Sequence, residues 1–583
     1  MVSRRSLVPL LCVLLSASGA LASYDSCTKC EPHRKCWPSA KDWQQLSKTV
    51  SGRLSALVPA AKPCHDPHYN NGTCSAFWEG ATSQDWRVST PETTLWPQFE
   101  TSPLDKESCF SGTSREDQCK QGSVPIYSIK ALETSDIVAG VKFASKHNIR
   151  ISIRNTGHDF LGRSAGRNSL QIWTGNMKGI DFSDNWKGKG CRPSKADKGE
   201  HAVTINAGVQ LHELYSALAQ RGRSAVIGFS KTVGAAGGYI HGGGHGPLGP
   251  LYGQASDNAL EYEVVTANGK IVAANACQNT DLFWALRGGG GGTFGITTRV
   301  TLRTFPDPDV VFWRSNFSMP TEGGIWPIVD LYHSLAPKMS DLATYSLYFA
   351  LPTLPGTNTS ALSIISFTPK QESTAKMDAF HQPLVDYARS NGGYAEFASI
   401  HAPSMMALFY SLVEDDSVSD PTVAGSLPSR LVSAAYLSNP ATRPNLVKAL
   451  SKIKIRPGEA YLGHVVSGGA VAKNVNLDTA LNPAWRKAAI HVIAPLTWTD
   501  DDEMTWEKRE AILREMREQH KELKALEPDM GAYGNEADFG ETDWQKSFWG
   551  TNYERLLKVK KKWDPKRLFI CNRCVGSEGC RFY

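Results

Sequence analysis

Thr232-Val-Gly-Ala-Ala-Gly-Gly-Tyr-Ile-His-Gly-Gly-Gly-His245 is the stretch whose reading decides the fold. Six of its residues are glycine, and a second cluster, Gly288–Gly292, follows within Phe283–Gly295. Without a Cβ, backbone N–H groups can close on a phosphate. A dinucleotide-binding crossover is the first reading to test, because Glu261 follows Gly242-Gly-Gly-His-Gly246 at a suitable distance. The surroundings argue against it. No crossover helix follows the glycines, and Glu261 leads into Leu260–Thr266, Asn268-Gly269 and Lys270–Ala274, a hairpin with an Asn-Gly turn. From the glycines alone, loops that serve only as turns stay open.

Upstream, Thr134-Ser135-Asp136 opens a helix carried by Ile137–His147, and Ile149–Ile153 alternates as a strand should. That strand runs into Arg154-Asn-Thr-Gly-His-Asp159, which sets a histidine beside a glycine at a strand end. His201–Ala207 reads as a strand and Leu211–Arg221 as a helix. Downstream, Ile296–Phe305 is a strand, and Pro306 and Pro308 mark a boundary. Residues 309–500 mix strands and helices. Asp502–Leu526 reads as one helix with Leu513, Met516, His520 and Leu523 on a core-facing side. Asn552–Trp563 is a closing helix stopped by Asp564-Pro565. Residues 23–120 are rich in Cys, Pro and Trp, with one helix expected over Asp42–Val58. Its stripe is Leu46, Val50, Leu54 and Leu57.

The 583 residues carry 41% hydrophobic and 21% charged side chains, which are globular values. The net charge is only +6, and the longest basic run, Lys558–Lys562, is short, so there is no electrostatic case for nucleic acid. Residues 1–22 read as a signal peptide: Arg4 and Arg5 precede an apolar run, and Ala20-Leu21-Ala22 fits cleavage. No stretch is long and apolar enough to span a membrane. Twelve cysteines then remain, an even number that favours disulfides in a secreted protein. Cys27-x-x-Cys30 with Cys571-x-x-Cys574 is the zinc alternative. Asn71, Asn316 and Asn358 begin glycosylation sequons, expected on exposed loops. No Gly-x-Ser-x-Gly elbow supports a hydrolase.

Several stretches in order carry a resemblance. They are Arg154–Asp159, Thr232–His245, Asp257–Thr266, Asp281–Gly289, Tyr533-Gly-Asn-Glu-Ala-Asp538 and Trp549–Arg555. With these the chain resembles the berberine bridge enzyme-like branch of the vanillyl-alcohol oxidase flavoproteins, which have a PCMH-type FAD-binding domain, and is most similar to secreted fungal members. The resemblance implies a bilobed α+β fold. Residues 121–305 would be the FAD domain and 306–529 the substrate domain, with 530–583 returning to the FAD domain. The disulfide-rich extension of residues 23–120 would pack outside.

The resemblance also implies roles. His158 would bond the flavin 8α carbon as a neutral imidazole. Arg154, Asn155, Thr156 and Gly157, with Gly234, Gly237, Gly238, Gly242 and Gly246, would line the pyrophosphate and isoalloxazine; Gly295 and Ile296 would approach the adenine end. Ser230 stands where doubly linked members have Cys, so one covalent link is expected. Val233 stands where oxygen-reactive relatives carry Val. Glu536 replaces the last Tyr of Tyr-x-Asn-Tyr and is the candidate base, its pKa expected to be raised by partial burial against the flavin, with Tyr533 in reserve and Asn535 positioning the ring. Asp159 either orients His158 or caps its turn. His241 and His245 are expected to touch flavin or substrate rather than a metal. The implied activity is oxidation of a small alcohol, phenolic or secondary metabolite, with O2 reduced to H2O2. A carbohydrate oxidase, a dehydrogenase and a non-catalytic flavin carrier are the alternatives.

Overall fold

The computed structural model describes residues 27–582, apart from 111, 193–198, 322–323, 415–421, 457 and 500–503. The expected signal segment, Cys12 and the start of the Asp502 helix lie outside the described residues.

The first helix, Ala40–Thr49, is closed by a Ser39–Asp42 capping box. It ends sooner than its apolar stripe suggests. Ser51 (φ 52°) and Gly52 (φ 78°) are left-handed, which a helix cannot continue through. Leu54–Ala56 then forms a strand, antiparallel to Tyr127–Lys130. This strand edges a four-stranded sheet completed by the parallel strands Ser169–Trp173 and Arg150–Arg154. Trp43, Leu46 and Val50 share a core with Ile129, Ile137, Val141 and Ile172. The extension therefore supplies part of this sheet and its core instead of packing outside. A second, five-stranded antiparallel sheet runs Ile180–Trp186, Glu200–Asn206, Ile296–Arg303, Ala259–Val265, Ile271–Asn275. Its last pair is the expected Asn-Gly hairpin.

Residues 310–493 build a seven-stranded antiparallel sheet. Its strands alternate. On one face Tyr348, Leu362, Ile364 and Val492 pack against the helices Trp326–Asp341, Ala375–Ser390 and Arg443–Lys452. On the other, Tyr345, Leu347, Phe349, Leu462, His464 and Ile493 face the glycine loops.

Beyond this sheet come two helices, Trp506–Gln519 and Lys521–Leu526, broken at His520 where one had been expected. The His520 ring bonds back to Met516 O at 2.7 Å. The helix Tyr553–Trp563 and the tail return to the first two sheets. There buried Lys560 donates to Thr293 O (2.6 Å) and pairs with Asp564 (2.7 Å).

All twelve described cysteines are paired: 27–580, 30–36, 64–74, 109–119, 191–277 and 571–574. The four-cysteine zinc site is thus excluded, its sulfurs being divided among three bridges. Of the sequons, Asn358 lies in an exposed turn, while Asn71 begins the helix Asn71–Ala81. Asn316 sits within the strand Val310–Pro320 and bonds Glu396, so it is not on a loop.

Candidate functional site

A cavity of about 770 Å³ separates the two glycine loops from the open face of the seven-stranded sheet. One wall starts where the strand Arg150–Arg154 ends. Arg154 itself turns away, fully buried, and donates to Arg87 O (2.7 Å) and Val88 O (3.2 Å). It braces the wall and does not line the cavity. Asn155, Thr156, Gly157, His158 and Asp159 do line it, Gly157 at φ 88°.

Asn155 donates to Ala207 O at 2.6 Å and sits against the glycine run. A Cβ at Gly234 would overlap its side chain, and one at Gly237 would crowd it. Two glycines are therefore required by a neighbouring side chain as well as by any ligand. The His158 ring bonds Thr232 Oγ1 through Nε2 at 2.6 Å. Asp159 settles as a turn cap, accepting from Leu161 N (3.1 Å) and Ser164 N (2.5 Å).

Ser230, Val233, Gly234, Gly237 and Gly238 continue the lining, and Gly295 and Ile296 close the far end. The Ser230 hydroxyl is buried with no hydrogen-bond partner. Gly242 and Gly246 do not line the cavity. A Cβ on the first would strike Asn535, and on the second the carbonyl of Ile227, so both serve close packing. The two loop histidines part company. His241 bonds Thr297 Oγ1 at 3.0 Å, and burial brings its pKa down to about 4. His245 turns toward Glu536.

The opposite corner comes from the carboxyl-terminal segment. Asn535 donates to Gly238 O (3.1 Å), Tyr239 O (3.2 Å) and Tyr533 Oη (2.8 Å). It ties this segment to the glycine run. Burial pushes the Tyr533 hydroxyl well above its usual pKa, with Glu536 adding to the shift. Glu536 Oε1 lies 2.9 Å from His245 Nε2, and its Oε2 lies 3.5 Å from His491 Nδ1. Burial alone would give the raised carboxyl expected from sequence; His245, His491 and His464 outweigh it and hold the group at about 2 instead. The rings of His464 and His491 are kept neutral by burial, near 4 and 3.

The FAD binding domain family matches residues 125–275, and the berberine and berberine-like family matches residues 532–575. An uncharacterized FAD-linked oxidoreductase of Arthroderma benhamiae is 45% identical over 557 residues, covering 94% of each chain. The chain belongs to the vanillyl-alcohol oxidase/berberine bridge enzyme family. The FAD-linked oxidoreductase malF of Malbranchea aurantiaca is 34% identical, covering 94% of this chain and 92% of its own. Among solved structures, the VAO-type flavoprotein MtVAO615 of Myceliophthora thermophila superposes with a TM-score of 0.83 at 30% identity, over 94% of this chain and 97% of its own. Berberine bridge enzyme from Eschscholzia californica, with a TM-score of 0.67 at 18% identity, shares the fold. The protein is an FAD-linked oxidoreductase of this family.

Within this flavoenzyme, sequence reasoning missed the contribution of the seven-stranded sheet. His464 and His491 belong to otherwise apolar strands, Tyr461–Val465 and Ala488–Ile493. A lone imidazole in such a strand was their one visible signal. Thr232, quoted only as the start of the glycine run, was also missed as the partner of His158.

Proposed function

We propose that the cavity holds FAD, bonded once through His158, and that the enzyme oxidises a small alcohol, phenolic or secondary metabolite with O2 as acceptor. The fit rests on the walls. The glycine run offers bare backbone, Gly238 has open space where a Cβ would stand, and the buried Ser230 hydroxyl faces the cavity unpartnered. Bound there, the flavin supplies hydride acceptance and returns the electron pair to O2 as H2O2.

The observation that carries the reading is the Glu536 carboxyl group at the cavity wall, fixed by His245 at 2.9 Å. It accepts the hydrogen bond and then the proton of a substrate hydroxyl, while Nε2–H of His245 donates to Oε1 and holds the group in place. The neighbouring Asn535 fixes the backbone at Gly238 and Tyr239. Leu347, Phe349, Ile365, Leu462 and Ile493 make an apolar wall, which favours an apolar body on the substrate over a sugar. Six disulfides support an oxidising, extracellular destination.

Acid precipitation of the purified protein tests the cofactor: a yellow pellet with the flavin on the His158 peptide supports it, and a colourless pellet with yellow supernatant refutes attachment. A panel of alcohols, phenols and sugars with peroxide readout tests the reaction. Silence across the panel with flavin retained defeats the oxidase reading.

A further inference from the structure

The surroundings of Glu536 hold more nitrogen than one proton transfer needs. His245, His464, His491 and Glu536 each offer one ligand atom, and these four atoms all lie within 4.8 Å of one another. They come from separate elements. His464 and His491 are direct cross-strand partners, which puts both side chains on one face of the sheet. His245 comes from the glycine run, and Glu536 from the turn after Tyr533, whose carbonyl accepts from Glu536 N at 2.9 Å.

The hydrogen bonding is incomplete. His491 is fully buried and neither of its ring nitrogens has a hydrogen-bond partner, and Oε2 of Glu536, 3.5 Å from its Nδ1, has none either. Each unmade bond of a buried polar group costs about 1–3 kcal/mol. A cation seated between this imidazole nitrogen and this carboxylate oxygen, with one ligand atom each of His245 and His464 in the same cluster, would satisfy both.

We propose that His245, His464, His491 and Glu536 bind a divalent transition metal of the zinc class. Three imidazoles and one carboxylate suit zinc and its first-row neighbours. Calcium and magnesium are disfavoured, since they require mostly oxygen ligands. Bonds of about 2.1 Å would bring tetrahedral ligand atoms to roughly 3.4 Å apart. The His245–Glu536 pair, at 2.9 Å, would open slightly, and the wider separations would close by about an ångström as side chains rotate. The consequence for turnover rests on the reading of Glu536 as proton acceptor: a metal that engages this carboxylate displaces the substrate proton, so the loaded enzyme is inhibited.

The test uses flavin-loaded holoenzyme, stripped with a chelator and dialysed against zinc. The expected result is one retained zinc per chain by mass spectrometry. Glu536→Gln and His491→Phe should each weaken binding about tenfold or more, and His401→Asn, a surface control, should leave it unchanged. Flavin content reports folding of each variant. Copper(II) added to the unaltered holoenzyme gives a second readout that needs no variant: paramagnetic resonance should show coupling to at least two imidazole nitrogens. Zinc retention that the two variants do not weaken, or a copper signal without nitrogen coupling, overturns the site. If zinc binds as expected and peroxide production continues undiminished, the metal site stands and the assignment of Glu536 as proton acceptor falls.

Discussion

The hydroxyl of Thr232 lies 2.6 Å from Nε2 of His158, joining two loops 74 residues apart in sequence. It fixes the plane of the imidazole at the cavity wall. Thr232→Val keeps the shape and removes the bond. Flavin should still bind, but covalent attachment should slow about fivefold, the worth of a hydrogen bond of about 1 kcal/mol. Thr232→Ser should restore the rate, and His158→Ala should abolish attachment altogether. The acid-precipitable fraction of flavin over time measures all three. An unchanged rate in Thr232→Val would show that the hydroxyl plays no part in orienting the ring.

Glu536→Gln keeps volume and one hydrogen-bond acceptor but removes the charge. If the carboxylate receives the substrate proton, kcat should fall about 10²–10⁴-fold with flavin content unchanged. Tyr533→Phe should cost less than tenfold, because Asn535 still holds the carbonyls of Gly238 and Tyr239. Anaerobic reduction of the flavin by substrate, followed by its bleaching, separates this step from reaction with oxygen.

The glycine run and the His158 loop could be read from sequence because their chemistry is local: backbone freedom and a nucleophilic ring stand next to each other along the chain. The motif did not reveal which glycines meet the cavity. Gly234 and Gly242 are pressed by Asn155 and Asn535, side chains 79 and 293 residues away along the chain. Arg154 belongs to the same motif yet points into the brace at Arg87, because burial and two carbonyl acceptors decide its rotamer. The helix over 42–58 failed at Ser51-Gly52, where backbone conformation overrides an apolar spacing that also suits a strand edge. His464 and His491 meet only through sheet register, which no local pattern encodes.

Two neighbouring glycines should therefore behave differently. At Gly234 an added Cβ overlaps Asn155, so Gly234→Ala should lower the melting temperature even without flavin. At Gly238 nothing lies within 4 Å of an added Cβ, and the residue lines the cavity. Gly238→Ala should leave the flavin-free melting temperature nearly unchanged while weakening flavin uptake. Thermal melts with and without FAD distinguish the two. Equal destabilisation of both flavin-free variants would contradict the packing assigned to Asn155.

Lys560 is buried with Asp564 at 2.7 Å and also holds Thr293 O at 2.6 Å. Asp564 in turn accepts from Leu568 N (2.7 Å) and Phe569 N (2.8 Å). Asp564→Ala strands a buried ammonium and two backbone donors, so it should cost about 3–5 kcal/mol. Lys560→Met, which strands the carboxylate but leaves its backbone partners, should cost less. Denaturant melts of the two variants give the ranking.

Three histidines away from Glu536 are buried as neutral rings, and they set how stability responds to acid. His381 shows why: its Nδ1 donates to Met377 O at 2.9 Å and its Nε2 meets Ser366 Oγ at 3.2 Å, an arrangement complete without a second proton. Burial lowers His381 to about 4, His333 to about 3 and His241 to about 4. In the unfolded chain each returns to about 6.5. The unfolded state therefore binds more protons between these values, and stability must rise with pH across that window. It is complete above about pH 6.5 and is lost as pH falls toward 4, at about 1.4 kcal/mol per pH unit for each ring. Burial raises the carboxyls of Glu100 and Asp159, which bind protons more readily in the folded state and oppose the trend. His464 and His491, lowered to about 4 and 3, add to the trend, so the net slope sums several groups and a single variant isolates one ring. His381→Gln retains a donor and an acceptor but cannot titrate. Its stability at neutral pH should fall, yet its dependence on pH between 6.5 and 4 should flatten by about one proton. Chemical denaturation across that range measures the slope, and a parallel curve in the variant would mean that His381 carries its proton in the folded protein.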